Sequence, residues 1–227
     1  MQGEDELVHE PGRYSLAAKL TSTGAALSRF LAVSRTISDR ERWNAKHREA
    51  NVGGTEPRAW LVEHRDLLMT QATGRALDVA CGVGREAAHL AELGFAVDAL
   101  DVSDVAIAKV RRRAGQGGLA IEATRMELAH ADTWFPRPPY DVICCFYFLQ
   151  RALFKPLAGA LAPGGLLLYE TFTRDHVEVV GGRMPERFLL EHDELRHAFA
   201  GLRVLRYREA VIGTRHPRAV ASIVARA

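Results

Sequence analysis

The residues best suited to chemistry lie in one run, Leu77-Asp78-Val79-Ala80-Cys81-Gly82-Val83-Gly84-Arg85. Apolar residues lead into two glycines and then a helical pattern, so unpaired backbone N–H groups at a helix N-terminus are brought against a ligand. Gly82 and Gly84 permit backbone angles and a close approach that a Cβ would block. Seventeen residues beyond Gly84, Asp101 stands at the tip of the next apolar segment. A carboxylate placed there accepts hydrogen bonds from both hydroxyls of a ribose. The run predicts a site for a nucleotide-like ligand.

Two cofactors satisfy that geometry. Gly82-x-Gly84-x-x-Ala87 matches the dinucleotide fingerprint, a weak signal taken alone, and a nicotinamide oxidoreductase is the rival reading. Three features favour S-adenosylmethionine. Asp78 precedes the glycines inside the strand, where a fixed negative charge would do little for a pyrophosphate. Pro163-Gly164-Gly165 opens a later strand, and the chain ends in a pair of strands with a short connection.

The elements that must position these residues follow from periodicity. Ala76–Ala80 and Phe95–Leu100 are short apolar strands separated by a helical run from Arg85 to Leu93. Ser103 can cap a helix whose apolar positions are Ala106, Ile107 and Val110. A third strand falls between Ala120 and Leu128. Tyr140–Phe146 reads as a central strand buried on both faces. A helix over about 149–161, a Pro-Gly-Gly turn and a strand over 166–169 come next. After a helix around 192–199, strands over 202–207 and 219–225 are joined by Gly213-Thr214-Arg215-His216-Pro217, too short for anything but antiparallel neighbours. The fold class is therefore α/β, a Rossmann-like doubly wound sheet that is mostly parallel with an antiparallel final strand pair and helices on both faces.

With these motifs the chain resembles the class I S-adenosylmethionine-dependent methyltransferases, and within them the small bacterial tellurite-resistance and thiopurine-type group. The resemblance covers residues 41–227 and leaves 1–40 as an N-terminal extension, helical or mobile, with a loosely amphipathic stretch over 16–33. It implies that Asp78, Cys81, Gly82 and Gly84 cradle the methionine half of the cofactor. Asp101 would hold the ribose and Val102 lie against the adenine. Glu127 and Leu128 fill the place of an acidic–apolar pair beside the adenine, with Asp132 as a competing alignment. Phe146 would line the floor near the sulfonium. Trp43, in the segment Trp43-Asn44-Ala45-Lys46-His47-Arg48, would fold over the cofactor, or else anchor a packing helix. For Cys81 the backbone, rather than the thiol, is the part expected to touch ligand.

Methyl transfer from a sulfonium is an in-line displacement, and a proton acceptor is needed only if the nucleophile arrives protonated. Candidates near the mouth are His47, Tyr147, Arg151, Tyr169 and Glu170, the first three taken as catalytic residues. Arg151 is equally suited to a structural ion pair, and Tyr169 to packing. The implied partner is a small-molecule methyl acceptor. No nucleic acid is expected, because the net charge is only +2 and Arg111-Arg112-Arg113 is the one dense basic run, read as a solvated helix end. Arg137-Pro138-Pro139-Tyr140 looks like the motif with which amino-methyltransferases hold a base, but it precedes its strand and so lies at the wrong end of the sheet.

No metal is expected. His192 and His197 are five apart and diverge on a helix, while Cys144 and Cys145 would point to opposite faces of a strand. No segment has the length of a membrane span, and Glu4, Asp5 and Glu6 give the N-terminus the wrong shape for a secretory signal. With three cysteines read as reduced thiols, a cytoplasmic protein is expected. Neither the oligomeric state nor the acceptor is legible.

Overall fold

The computed structural model describes residues 38–49, 56–71, 74–128 and 135–227. The amphipathic stretch over 16–33 and Asp132 lie outside the described residues. The described residues form one compact unit. Its elements run α1 (Asp39–Arg48), α2 (Ala59–Glu63), α3 (Arg65–Leu68), β1 (Arg75–Val79), α4 (Arg85–Glu92), β2 (Ala96–Asp101), α5 (Asp104–Gly117), β3 (Ile121–Arg125) and β4 (Tyr140–Phe146). They continue with α6 (Phe154–Gly159), β5 (Leu161–Phe172), α7 (Asp175–Val180), α8 (Glu194–Ala198), β6 (Arg203–Ile212) and β7 (Arg218–Arg226).

The seven strands form one sheet in the order β3-β2-β1-β4-β5-β7-β6. β3, β2, β1, β4 and β5 are parallel, and β7 pairs antiparallel with both β5 and β6. The mostly parallel sheet with an antiparallel end is as the sequence predicts. The chain order reverses between β1 and β4, which opens a crevice at the carboxyl ends of those strands.

Alternation along the strands builds a core on each face. Leu77, Val79, Leu100, Ile143, Cys145, Leu167 and Tyr169 face one side; Ala76, Val97, Ala99, Val142, Cys144, Leu166 and Leu168 face the other. Adjacent Cys144 and Cys145 thus separate to opposite faces, and burial pushes both thiols up from their usual range. Each leucine fully buried in this way contributes about 1.5–3 kcal/mol.

The helices are where the caps put them. Ser103 Oγ accepts from Ala106 N, and Ala106, Ile107, Val110 and Ala114 form the buried stripe of α5. Three expectations need correction. The helix over 149–161 is shorter: Gln150 caps a 3-10 turn at Arg151–Leu153, which runs into α6 and stops at Gly159. Pro163-Gly164-Gly165 is not a turn ahead of the strand but an irregularity within β5, where the register with β4 shifts between Tyr140 and Val142. β6 is longer than its apolar core suggested, because it is a half-exposed edge whose Arg206, Arg208 and Glu209 dilute the pattern.

The Pro-Pro-Tyr segment is structural. Tyr140 donates to Asp98 at 2.9 Å, and Arg137 pairs with the same buried carboxylate. This network joins β2 to the start of β4, away from the strand ends where the cavity opens.

Candidate active site

A cavity of about 570 Å³ lies over the carboxyl ends of β1, β2, β4 and β5, and a smaller cleft of about 110 Å³ continues from it past Asp101. Trp43, Ala80 and Asp101 line both, as do Phe148 and Leu149. The site is therefore elongated, with a narrow end and a wide end.

The glycine run forms its floor. Asp78, on the same strand face as Ala76 and Cys144, accepts a hydrogen bond from Ala87 N at 3.0 Å and one from the Cys144 thiol at 3.5 Å. It thereby ties β1 to the first turn of α4. Burial, with Glu86 close by, pushes the Asp78 carboxyl well above its ordinary value. A cation brought into the cavity would relieve that. Burial likewise drives up the Cys81 thiol, beside Asp78, so Cys81 offers the site its backbone and a small inert side chain.

The two glycines differ. Gly82 lines the cavity at φ +53°, and a Cβ there would meet only His47 Cε1 at 3.5 Å. Gly84, assigned to the cofactor from sequence, does not line the cavity. At φ +72° it starts α4, and a Cβ there would fall 2.8 Å from Val110 Cγ2. Its small size lets α5 close against the loop, which is a packing requirement.

Asp101, at the end of β2, is held on two sides. Oδ1 accepts from Ser103 N at 2.8 Å and Oδ2 from Gly82 N at 2.9 Å. Each carboxylate oxygen has two lone-pair sites, so one on each is left over. Val102, Glu127 and Leu128 line the narrow cleft with Gln150 and Phe188. It is a mainly apolar slot whose acidic groups are Asp39, Asp101 and Glu127.

Helix α1 covers this end. Its Ser38–Glu41 capping box fixes its start, but it has almost no apolar face: only Asn44 and His47 are buried. Asn44 is the anchor. Its Oδ1 accepts from Ser103 Oγ at 2.7 Å and from Val105 N at 3.2 Å, so it doubles the cap of α5. Trp43 is half-buried, stacks on His47 with centroids 5.7 Å apart, and carries Lys46 over its ring. His47 lines the cavity beside Gly82, and its buried Nδ1 has no hydrogen-bond partner among the described residues. Burial lowers its pKa from the usual value, against the pull of Asp101.

The wide end is different in character. Phe146 and Tyr147 follow from β4, and Thr171 and Phe172 end β5. Tyr147 has φ +56°, donates to Glu170 Oε1 at 3.0 Å, and lies 4.9 Å from the Phe172 ring. Burial and the neighbouring Glu170 push its phenol up to about 12. Glu170 is buried beneath the cavity, where Oε2 accepts from Ser222 Oγ at 2.7 Å and Arg208 at 3.2 Å. Tyr169 is also buried and donates to Phe148 O at 2.7 Å, a packing role.

Arg151 is not brought to the cavity. It grips Glu194 with Nε at 2.6 Å and Nη2 at 2.8 Å, and donates to the carbonyls of Arg187 and Leu189. This bidentate pair fixes α8 and leaves no guanidinium edge for a substrate. The structural reading of Arg151 stands and the catalytic one does not.

Sequence reasoning missed Arg58, Arg85, Glu86, Arg183 and Arg218, which all line the cavity. Glu86 was within reach, as an acid in the first turn of the helix after the glycines. Its Oε1 accepts from Arg58 N at 3.1 Å, and it stands 3.8 Å from the Arg58 Nε and 3.9 Å from the Arg85 Nε. Arg218 opens β7. Because β7 runs antiparallel to β5, its first residue arrives at the end where the parallel strands finish.

Among the described residues there is no His, Cys, Asp and Glu cluster able to hold a metal, and no helix long and apolar enough to cross a membrane.

Comparison with known proteins fits this architecture. A family profile described as "Methyltransferase domain" matches residues 54–227. The chain is 31% identical over 156 residues to the protein named Hemagglutinin 1 of Eikenella corrodens, covering 65% of this chain and 50% of that one. It is 29% identical over 124 residues to the ubiquinone biosynthesis O-methyltransferase of Burkholderia multivorans, covering 52% and 50% respectively. The chain thus spans about half the length of these curated relatives. In fold it is similar to TehB from Haemophilus influenzae, with a TM-score of 0.63 at 18% identity over 82% of this chain and 66% of that one. That likeness is one of fold, and the family match resolves the two cofactors the glycine run left open. The chain belongs to the class I S-adenosylmethionine-dependent methyltransferases.

Proposed function

We propose that this domain methylates a small molecule whose nucleophile is soft, such as sulfur, selenium or tellurium, using S-adenosylmethionine. The residues fit that cofactor along the whole site. Asp101 keeps a free lone pair on each oxygen for the ribose hydroxyls, and the His47 ring stands beside Gly82 in the same region. Val102 and Leu128, with Glu127 at the rim, form a slot for the adenine. Asp78, disfavoured as a buried anion, suits the cationic methionine end, with Gly82 and the Cys81 backbone beneath it. Arg58 and Arg85 suit its carboxylate. Trp43 and α1 close the site from above.

When bound, the cofactor supplies an electrophilic methyl group whose thioether leaving group needs no protonation. The chain has to orient the nucleophile and exclude water. Phe146, Tyr147 and Phe172 provide an apolar, aromatic wall for this at the wide end.

Tyr147 carries the soft-nucleophile reading. Its proton is committed to Glu170, and its phenol is pushed up to about 12, so it is a poor base near neutral pH. His47 lies at the Gly82 and Asp101 end rather than against the aromatic wall. An acceptor that ionises easily needs neither. Compact size and a net charge of +2 favour a small molecule over a polynucleotide.

The test is mass spectrometry of methylated products from a pooled panel of thiols, selenols, chalcogen oxyanions, phenols and amines. Rates of His47→Ala and Tyr147→Phe follow on the acceptor found. Each substitution should cost about tenfold or less, against the 10²–10⁴-fold typical of a lost acid–base group. A thousandfold loss in either, with cofactor affinity intact, overturns the soft-nucleophile reading and favours an oxygen or nitrogen acceptor. Efficient methylation of transfer RNA or DNA overturns the small-molecule reading.

A further inference from the structure

We infer that the acceptor is an organic acid whose anionic group is bound by Arg218, with its apolar body against Tyr147 and Phe172. The inference rests on the methyltransferase reading above and adds the chemical class of the acceptor.

Charge is unevenly distributed in the cavity. Asp78 and Asp101 stand at the glycine floor and the narrow end, where α1 adds Arg42 and Lys46 to the lining; at the wide end Arg58 and Arg218 lie near the Tyr147 ring, and Arg85 and Arg183 complete the cationic lining. Among the described residues, Glu86 is the one carboxylate in ion-pair range of Arg58, Arg85, Arg183 or Arg218, and it is shared between Arg58 and Arg85. Arg218 has no carboxylate within ion-pair distance among the described residues. Its Nε is buried and lacks a hydrogen-bond partner.

Leaving a guanidinium N–H buried and unpaired is unfavourable, and it is worse beside other cations. Burial lowers the pKa of both Arg58 and His176, and neighbouring positive charge adds to it, from Arg85 and Arg218 at Arg58 and from Arg218 at His176. An incoming oxyanion offsets the crowded positive charge, and a planar guanidinium fork matches a carboxylate in two parallel hydrogen bonds. A lysine would supply the charge without the fork.

The surroundings specify the rest of the molecule. The Arg58 and Arg218 guanidinium carbons lie 4.2 and 5.6 Å from the Tyr147 ring centroid, and Phe172 is 4.9 Å away. Phe172 in turn stacks on His176 at 4.2 Å, which fixes its plane. An acid group on Arg218 therefore leaves its carbon skeleton on an aromatic face. The bare oxyanion of a chalcogen would use the arginine and leave that face uncovered.

Calorimetry on the full chain in complex with S-adenosylhomocysteine tests this, with 4-mercaptobenzoate, 4-mercaptobenzamide and selenite as probes. The acid should bind at least about tenfold more tightly than the amide and the selenite. Arg218→Met should abolish the preference for the acid over the amide, and Arg218→Lys should keep only part of it. Affinity for S-adenosylhomocysteine, measured first on each variant, should stay within about threefold and reports that the variant is folded. Equal binding of acid and amide, no binding of either, or an acid preference that survives Arg218→Met overturns the inference. Selenite binding more tightly than the aromatic acid overturns the organic body. Failure of wild type to bind S-adenosylhomocysteine would instead overturn the methyltransferase reading beneath it.

Discussion

Replacing Asp101 should uncouple the cofactor's ribose from the sheet, and its size can be worked from the hydrogen bonds. The carboxylate already accepts from Gly82 N and Ser103 N at 2.9 and 2.8 Å, so its two remaining lone pairs point where those bonds leave room. A hydrogen bond to a charged group is worth about 1.5–3 kcal/mol, so losing even one weakens binding by about tenfold to a hundredfold. Asp101→Ala also strips partners from two backbone donors, one of them buried, at about 1–3 kcal/mol of stability. Asp101→Asn retains one acceptor oxygen and serves as the milder variant. Titration calorimetry should be run well below the melting temperature of each variant. A second ligand, the 2′-deoxy analogue of S-adenosylhomocysteine, separates ribose recognition from collapse of the loop. If Asp101 holds the hydroxyls, the analogue binds wild type poorly, and the difference between the two ligands shrinks in both variants. An unchanged dissociation constant in a folded Asp101→Ala, or a ligand difference that persists in it, would refute the assignment.

Gly84→Ala should destabilise the fold by about 2 kcal/mol or more, since it forces a left-handed residue to carry a Cβ into Val110; thermal unfolding measures this, and Val110→Ala in the same background should recover part of the loss. Cofactor affinity of the folded variant should change far less than for Asp101→Ala. Burial lowers the pKa of His47, His89 and His176, each of which has a buried ring nitrogen without a hydrogen-bond partner among the described residues. A depressed histidine resists protonation in the fold, so its contribution is complete above the unfolded value near 6.5 and is lost as pH falls through the folded values. Melting temperature should therefore fall between pH 7 and 5, and combined His47→Gln and His89→Gln should flatten that slope; a slope unchanged by the pair would sink the account.

Much of the fold was legible because its signals are local. Tyr140–Phe146 is apolar but for Asp141 and became the central β4, and Ser103 announced α5 by its cap. The departures occur where local pattern and tertiary setting disagree. α1 carries a weak apolar pattern because Asn44 docks it by hydrogen bonds to the N-terminus of α5, a contact that joins residues 59 and 61 positions apart. Hydrophobic periodicity has no means of registering such an anchor. Gly84 was legible as a required glycine, but not the reason for it: only the packed structure places Val110 against it.

The two ends of the site differ in legibility for a physical reason. The narrow end is built by backbone. A strand, a left-handed turn and a helix start within ten residues bring their N–H groups to one place, and Asp101 follows on the next strand in the same register. Such geometry leaves a spacing in the sequence. The wide end is built by side chains from distant elements that meet only because β7 reverses direction. Arg58 precedes α2, Arg183 lies between α7 and α8, and Arg218 starts the reversed strand. Each is an isolated arginine in the sequence, one of many, with nothing to distinguish it from the Arg151 that turned inward to Glu194. Arg183 or Arg218 can change without disturbing the glycine loop or the two N–H groups that hold Asp101, whereas Arg58 also reaches the cofactor end through Glu86. A fold arranged in this way keeps its cofactor end while the chemistry of its acceptor end varies, so specificity has to be read from Arg218 and its neighbours in space and not from the motif.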